Sequence, residues 1–392
     1  MISPLDETWR SLLDDVARER KWPTSSEVKR LASNVRALSS AYNDGAQAPA
    51  ARARSADALG ARLLFSFPRD VPKGAAAVRE LVSAGLLRIP DDRPLRILDV
   101  GAGLGAMTWG VARALAGVGQ TGAIEAFLVD EDPMAIELAA RIFKRRAGEG
   151  DIRITARCTS GTVDDAAART DATFDLVIAG QLLSELHRDR PDAERVSRHV
   201  DLVLSLLKRV REHGALVIVE PALRARTRHL HAVRDALVMP PRPGVTLFAP
   251  CLHAAACPML TNPGDWCHED LPVNLPPWLV DVARGAGLRW EGLTYSYLIL
   301  RRDQVQLAGT LGPSQPDGMR LRVVSDLIVT KGKCEVFLCS EAGSLVRPAR
   351  LDRAHSETNA SFRSLVRGDL VTIRPFSERR IERETSVKRC SS

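Results

Sequence analysis

An aspartate and three glycines at fixed spacing end an apolar run in residues 95–105. Asp99, Gly101, Gly103 and Gly105 form the pattern D-x-G-x-G-x-G. A buried strand that turns into a helix at such glycines lets the backbone approach a nucleotide-type ligand and directs free N–H groups towards it. The spacing differs from the dinucleotide motif G-x-G-x-x-G and from the Walker pattern. It is the form common in S-adenosylmethionine (SAM) methyltransferases, so we predict a SAM-binding turn.

A second acidic position strengthens this prediction. Asp130 directly follows the apolar residues 123–129, which are typical of a second strand. A carboxylate at the end of that strand can accept hydrogen bonds from both ribose hydroxyls, as an acid does in dinucleotide-binding folds. Gln181, after the fourth predicted strand, and Asp164, after the third, are candidates for the adenine edge.

The cysteines form a second candidate site. Cys251, Cys257 and Cys267, three of the seven in the chain, crowd into one proline-containing segment. A turn-rich backbone lets thiolates converge from a loop, as in many iron–sulfur proteins. The paired C-x2-C knuckles of structural zinc sites do not occur in the sequence. A tetrahedral site needs a fourth ligand, for which Cys339 is favoured. The alternatives are Cys334, His253 and His268.

The net charge of +7 favours a polyanionic partner. Basic residues that would suit a phosphate backbone are Arg224, Arg226, Arg228, Arg234, Lys331, Lys333, Arg347, Arg350, Arg353, Arg363 and Arg367. Each such contact would make binding weaken with added salt. Aromatic residues make up only 5% of the chain, which argues against base stacking as the main binding device.

Alternating strands and helices must position these residues. Strands are predicted at 95–100, 123–129, 152–156, 174–179 and 214–220, with helices between them and a closing hairpin at 288–300. This pattern predicts an α/β domain with a Rossmann-like parallel sheet. We assign residues 1–92 to a helical region with a linker at 43–53, and 93–305 to the α/β domain with an insertion at 223–274. Residues 306–376 are predicted to form a small β-domain and 377–392 a mobile tail.

The composition is that of an ordinary globular protein, with 45% hydrophobic and 26% charged residues in a chain of 392. No apolar run reaches the ~18–20 residues of a membrane span. Residues 1–20 mix acidic with basic side chains, unlike a signal peptide or a mitochondrial presequence. We therefore expect a cytoplasmic monomer without a membrane partner, in which the cysteines are not a disulfide framework.

Several segments together resemble one family. They are residues 61–68, 98–105, 175–186 and 219–221, with the motif Asp265-Trp266-Cys267-His268 of the insertion. The resemblance is to the Rsm-twenty-two proteins, methyltransferase-like proteins tied to the small ribosomal subunit. It implies binding to small-subunit ribosomal RNA (rRNA), either as a SAM-dependent RNA methyltransferase or as a non-catalytic assembly factor.

The same resemblance implies a four-iron four-sulfur (4Fe–4S) cluster. Its ligands, carried over position by position, are Cys251, Cys257, Cys267 and Cys339. Cys334 stands where the family pattern usually has histidine and is therefore left out of this ligand set.

Overall fold

Helices fill the first part of the chain because apolar residues recur there at helical spacing, as Trp9, Leu13 and Val16 do. The computed structural model describes residues 3–43, 55–168, 172–312 and 316–390. The predicted linker at 43–53 lies, from residue 44 onwards, outside these ranges. The helices are α1 (Glu7–Glu19), α2 (Val28–Asn43), α3 (Ala56–Ala61), α4 (Phe67–Ala77) and α5 (Arg79–Ser83), with a π-helical turn (Arg62–Ser66) between α3 and α4.

Strands and helices then alternate. They are β1 (Leu95–Val100), α6 (Ala106–Ala116), β2 (Gly122–Asp130), α7 (Pro133–Arg145), β3 (Gly148–Glu149), β4 (Ile152–Ser160), α8 (Val163–Ala168), β5 (Phe174–Gly180), α9 (Asp192–Leu207) and β6 (Val210–Glu220). The strands β4-β2-β1-β5-β6 are parallel neighbours in that order, and β3 pairs antiparallel with β4. The order reverses between β1 and β5, which is the topological switch point of a doubly wound sheet. The predicted Rossmann-like α/β fold is therefore confirmed.

The strand register brings the predicted ligand-binding residues to one edge. Val100, the last residue of β1, pairs with Val129 of β2 on one side and with Ala179 of β5 on the other. The three strands therefore end side by side, and Gly101, Asp130 and Gln181 lie at the same edge of the sheet.

Aromatic packing attaches the first helix to this domain. Trp9 of α1 contacts the Trp109 ring of α6 edge to face, with ring centroids 4.8 Å apart. Trp109 in turn stacks on Phe143 of α7 at 4.7 Å. Both tryptophans are fully buried. Such pairs contribute roughly 0.5–1.5 kcal/mol beyond the area they bury.

The remaining elements include two further sheets. The elements are α10 (Arg224–Val238), β7 (Thr246–Ala249), β8 (Glu269–Leu271), α11 (Pro277–Ala286), β9 (Leu293–Arg301), α12 (Leu307–Thr310), β10 (Met319–Val323), β11 (Ile328–Thr330), β12 (Lys333–Glu335), β13 (Leu338–Ser340), β14 (Leu345–Val346), β15 (Ala349–Leu351), β16 (Leu370–Arg374), β17 (Arg380–Ile381) and β18 (Ser386–Arg389). One sheet has the order β14-β13-β10-β16-β18 and the other β11-β12-β15-β17. None of the described helices is both long and apolar enough to span a membrane.

The chain divides into two compact units, each built from three separate segments. The first comprises Met1–Pro191, Lys208–Val219 and Leu271–Leu293. The second comprises Asp192–Leu207, Glu220–Asp270 and Thr294–Ser392.

The structure differs from the sequence prediction at the C-terminus. The predicted mobile tail contains β17 and β18, and β18 pairs antiparallel with β16. Ile381 and Val387 are buried in the core of the β-domain. Two isolated apolar residues in a polar segment give no periodicity, although they suffice to attach both strands.

Other boundaries shift as well. Strand β4 continues to Ser160 because the polar residues after Ala156 still pair with β2. Residues 183–189 form turns where a helix is predicted. Only the second half of the predicted hairpin at 288–300 forms a strand, β9.

Candidate cofactor and cysteine sites

The glycine turn lies at the carboxyl end of β1. Gly101, Gly103 and Gly105 all have positive φ, at 65°, 53° and 82°. A Cβ on Gly105 would also lie 2.6 Å from Phe143 Cε2. Only glycine combines this backbone conformation with so close an approach.

The backbone amides of the turn are used differently from the prediction. Gly101 N and Ala102 N both donate to Val129 O, and Gly105 N donates to Ala102 O. Gly103 N donates to a side chain, the carboxylate of Asp130. These four N–H groups therefore do not face a ligand, because neighbouring strand β2 and the turn itself already accept their hydrogen bonds.

The Asp130 carboxylate is held rigidly at the end of β2. Its Oδ2 accepts from Gly103 N at 2.7 Å, and its Oδ1 accepts from Asp132 N at 2.9 Å. Each carboxylate oxygen can accept about two hydrogen bonds, so both retain capacity for a hydroxyl group. Asp130 is therefore oriented for the ribose contact that its position predicts.

Asp99 is the buried acid of the motif. Its Oδ2 accepts from Thr108 Oγ1 at 2.8 Å and from Thr108 N at 3.3 Å. Its Oδ1 is buried and has no hydrogen-bond partner among the described residues. Burial raises the pKa of Asp99 to about 7, although the two bonds from Thr108 lower it. The buried Oδ1 at this turn therefore has unused capacity to accept a hydrogen bond.

Gln181 and Asp164, the candidates for the adenine edge, differ in their placement. Gln181 follows β5 with φ of 59°, an unusual backbone conformation for a residue other than glycine. Its neighbour Leu182 packs on Gly101, where a Cβ would lie 2.9 Å from Leu182 Cδ1. Asp164 is exposed on α8. Strained residues cluster at functional sites, which favours Gln181.

Arg62 also contacts the turn, although no chemical motif marks it in the sequence. Its Nη1 donates to Asp132 Oδ2 at 2.9 Å, and its Nη2 lies 3.1 Å from the position of a Cβ on Gly103. The residue begins the π-helical turn between α3 and α4. Single π-turns are frequent at functional sites, which is a signal that only the structure could give.

The glycine turn, the oriented Asp130 and the unpartnered Asp99 Oδ1 fit a SAM molecule. The three glycines carry no Cβ of their own at the turn, and the Asp130 carboxylate lies at the strand end where an acid binds a ribose in dinucleotide-binding folds.

In the second unit, the four predicted ligands line one cavity. Cys251, Cys257, Cys267 and Cys339 surround a space with about 40 Å³ open to water-sized molecules. One water needs only ~10–15 Å³ of such space. Three of the cysteines also belong to one apolar cluster with Met259. All seven cysteines are free thiols. The structure thus brings Cys339, from the distant strand β13, to the cysteines of the insertion.

The alternative ligands divide into two groups. His253 and His268 line the same cavity, and His253 Nε2 lies 3.4 Å from Cys339 Sγ. Cys334 instead points into the apolar core of the β-domain with Val336 and Phe362. His231, which has no place in the sequence prediction, lines the cavity as well.

Cys257 is buried, and the other three cysteines of the cavity are half-buried. Burial raises the pKa of Cys257 to about 12, and the neighbouring Cys251 adds to this. The pKa values of Cys267 and Cys339 are also raised, in both cases mainly by burial and then by Cys251. Among the described residues, no three His, Cys, Asp or Glu side chains meet closely enough to bind one metal ion.

Helix α10 holds the cysteine loop in place through Arg228. Its Nη1 donates to the carbonyl oxygens of Met259, Asn262 and Asp265, each at 2.8 Å. Its Nη2 donates to Leu260 O at 3.2 Å. One guanidinium therefore organises the turn between Cys257 and Cys267.

Two further residues of α10 fix the other end of the loop. Arg234 donates to His253 O at 2.7 Å and also to Ala255 O. The neighbouring Asp235 accepts from Cys257 N at 3.0 Å. Arg234 is only 2% exposed. The expectation that Arg228 and Arg234 offer a phosphate-binding surface is therefore wrong, because both guanidinium groups bind backbone carbonyls.

Several other predicted phosphate-binding residues also have partners. Arg350 is buried and donates to Asn359 O at 3.0 Å. Lys333 and Arg347 both pair with Glu335. Surface ion pairs contribute little stability, so exposed members of this set still offer charge to a partner.

A buried ion pair supports the cavity wall. Arg322, which pairs in register with Cys339, binds Glu269 at 2.9 Å and Tyr297 Oη at 2.9 Å. Breaking such a pair leaves an uncompensated buried charge, which costs ~3–5 kcal/mol.

The strand order, the switch point and the glycine turn define a Rossmann-like α/β protein of the SAM-methyltransferase class. A family model described as mitochondrial small ribosomal subunit Rsm22 matches residues 69–371. The chain belongs to this family, and the resemblance inferred from its motifs is confirmed.

One curated relative is the ribosome assembly protein METTL17, mitochondrial, of Homo sapiens. It is 29% identical over 196 residues, which cover 48% of this chain and 39% of the human protein. The match therefore spans well under two thirds of the human protein's length.

Solved structures of methyltransferases resemble this chain distantly. The magnesium protoporphyrin IX methyltransferase ChlM from Synechocystis with bound SAM is 12% identical, with 60% of this chain and 84% of that chain covered and a TM-score of 0.32. The plantazolicin methyltransferase BpumL with SAH is also 12% identical, with 71% and 98% covered and a TM-score of 0.35. The fold assignment depends on the strand topology and not on these superpositions.

Proposed function

We propose that this protein binds SAM and acts in the assembly of the small ribosomal subunit through its rRNA. Membership of the Rsm22 family and similarity to a human ribosome assembly protein support the ribosomal part. The observation that carries the cofactor part is the Asp130 carboxylate, fixed by Gly103 N and Asp132 N beside the glycine turn.

The residues of the site have separable tasks. Asp130 orients the ribose, the glycines admit the ligand to the backbone, and Gln181 lies at the neighbouring strand end where the adenine edge is expected. SAM, when bound, supplies an activated methyl group. The protein contributes mainly by positioning the ligand and excluding water.

Calorimetry with SAM tests the cofactor assignment. Wild-type protein should bind SAM, and Asp130→Ala should bind at least roughly tenfold more weakly, because a charged hydrogen-bond acceptor is worth ~1.5–3 kcal/mol. No binding by the wild type would reject this part of the proposal. Crosslinking of the protein to RNA in cells tests the ribosomal part, and contacts spread evenly over unrelated RNAs would reject that part.

Methyl transfer is a second candidate function, favoured by the strained Gln181 at the switch point. Transfer of tritiated methyl groups from SAM to small-subunit particles would measure it. Label incorporated by the wild type and not by Asp130→Ala would establish an enzyme. SAM binding with label at background in both would leave a non-catalytic assembly factor.

We also propose that Cys251, Cys257, Cys267 and Cys339 bind a 4Fe–4S cluster. Four cysteine thiols on one cavity are the donor set of such clusters. Ligands of a single zinc ion must meet at one point, whereas cluster ligands bind separate iron atoms. The content of zinc, against that of iron and sulfide, therefore distinguishes the two kinds of site.

Anaerobic purification tests the cluster. The protein should be brown and contain iron and sulfide in equal amounts, and Cys339→Ser should lose much of both. Cys390→Ser is the matched control, since Cys390 lies in the same unit and does not line the cavity. Stoichiometric zinc without sulfide would contradict the proposal.

A further inference from the structure

A ligand that lies against the glycine turn meets few unused backbone donors. The amides of Gly101, Ala102, Gly103 and Gly105 already donate within the chain. An anionic group at this turn therefore needs a donor from a side chain, and a charged donor forms the stronger hydrogen bond.

Arg62 supplies such a donor. Its Nη2 lies 3.1 Å from the position of a Cβ on Gly103, and the hydrogen bond of the guanidinium to Asp132 uses Nη1 and not Nη2. Its Nη1 is fixed by Asp132 Oδ2, and Asp132 is fixed because its Oδ1 caps α7 through Met134 N and Ala135 N. A guanidinium held through one amino nitrogen can present the other to a second carboxylate.

The charges around Arg62 determine how a charged ligand is oriented at this site. Burial lowers the pKa of Arg62, but Tyr42, Asp130, Asp132 and Glu185 outweigh burial and raise it. These surroundings repel an anion except at the guanidinium, and they attract ammonium and sulfonium groups. A ligand with one carboxylate and two cationic groups therefore has a preferred orientation here.

We propose that Arg62 binds the α-carboxylate of SAM and makes the site specific for ligands that keep this group. The assignment rests on the SAM binding proposed above. It makes Arg62 a specificity-determining residue that belongs to the helical N-terminal region and not to the sheet.

Decarboxylated SAM is the matched probe, because it lacks only the carboxylate. In calorimetry at constant salt, wild-type protein should bind SAM roughly tenfold or more tightly than decarboxylated SAM. Arg62→Gln should weaken SAM binding to the level of decarboxylated SAM and leave the affinity for decarboxylated SAM nearly unchanged. If Arg62→Gln weakens the binding of both ligands equally, or keeps the preference for SAM over decarboxylated SAM, the assignment is overturned.

Three further variants separate binding from folding. Arg69→Gln removes another arginine of the same region, which donates to Arg289 O, and should leave the preference unchanged. Asp132→Asn keeps an oxygen for the helix cap and should reduce the preference only in part. If Arg62→Gln fails to fold, Arg62→Met takes its place, since methionine keeps an unbranched apolar stem without charge or N–H donors; an unchanged preference in it would overturn the assignment.

Two outcomes for the wild type distinguish this inference from the proposed function. A wild type that binds neither ligand rejects SAM binding itself. A wild type that binds both ligands equally well retains SAM binding and rejects only the role of Arg62.

Discussion

Asp99 is a fully buried acid, and one of its two carboxylate oxygens lacks a hydrogen-bond partner among the described residues. Its pKa of about 7 compares with an ordinary value of 3.8. Between these values the folded state keeps a proton on Asp99 that the unfolded state has released. Stability from this group is therefore present below about pH 4 and is lost as the pH rises to 7.

Asp99→Asn should remove this pH dependence, since asparagine does not ionise. We expect the wild type to lose up to about 4 kcal/mol of unfolding free energy through this group between pH 4 and 7, and the variant to lose much less. Urea unfolding at several pH values in this range measures the slope of the unfolding free energy against pH for both proteins. Identical slopes in the two proteins would show that Asp99 titrates normally.

Gly105 allows a comparison that separates backbone strain from steric overlap. Gly105 and Gly85 both have positive φ, but a Cβ meets Phe143 at 2.6 Å only on Gly105, and on Gly85 it meets nothing within 4 Å. Gly85→Ala should cost about 1–2 kcal/mol, the penalty of a left-handed conformation. Gly105→Ala should cost about 1–3 kcal/mol more, because the methyl group overpacks the core.

Urea midpoints of the two alanine variants test this difference. Equal destabilisation would mean that Phe143 moves aside without cost and that the turn tolerates a side chain.

Asp99, the glycines and Asp130 can be predicted from the sequence because each lies at or just after the end of an apolar run that is typical of a strand. The sequence does not allow prediction of Arg62, whose partner Asp132 is 70 residues away. No residue pattern encodes that contact, which depends on how α3 and the π-helical turn pack.

At the scale of elements, α10 shows why charge alone misleads. The arginine content of α10 is typical of a nucleic-acid-binding helix. Arg228 and Arg234 nevertheless donate to backbone carbonyls of the cysteine loop. A sequence records the charge of a guanidinium and not its acceptor. Irregular loops leave carbonyl groups without partners in regular structure, and arginine can satisfy several of them at once.

Arg228→Met should loosen the turn between Cys257 and Cys267. Four carbonyl groups lose their donor, and each lost hydrogen bond costs roughly 0.5–1.5 kcal/mol. Amide hydrogen exchange of residues 257–267 should become at least roughly tenfold faster. The control is Arg224→Met on the exposed face of the same helix, which should leave exchange unchanged.

Equal exchange rates in wild type and Arg228→Met would show that the loop is held by its apolar contacts alone. Faster exchange in both variants would instead indicate general destabilisation of α10.

The elements themselves could be predicted to different degrees. The parallel strands could be predicted because they are continuous apolar runs, as Leu176–Ala179 of β5 is. Strands β17 and β18 could not be predicted from the sequence, because they are ordered by sheet pairing and show no periodicity. The grouping of Cys339 with the cysteines of the insertion is predicted from the need of a tetrahedral site for a fourth ligand and from the family resemblance, and not from spacing.

At the scale of the whole molecule, each proposed site lies within one unit. Gly101, Gly103, Asp130 and Arg62 belong to the first unit, and the cysteines of the cavity belong to the second. Ligand binding in each therefore uses residues that the other does not supply.

Cys339→Ser should therefore reduce iron content and leave the affinity for SAM within about twofold, since additivity holds for independent sites. Asp130→Ala should have the opposite effects. Metal analysis and calorimetry on the same two preparations measure both quantities. Loss of SAM binding on removal of Cys339, in protein that remains folded, would reveal coupling that the composition of the two units does not suggest.

The interleaved course of the chain restricts how this protein can be altered. Because each unit draws on three stretches of sequence, no single cut in the gene separates the two units from each other. A fragment that stops before residue 294 would lack Cys339 but keep Arg228, Arg234 and Asp235, which hold the cysteine loop. A truncation that keeps one unit whole therefore also keeps pieces of the other, so the two proposed activities are best engineered in the full chain.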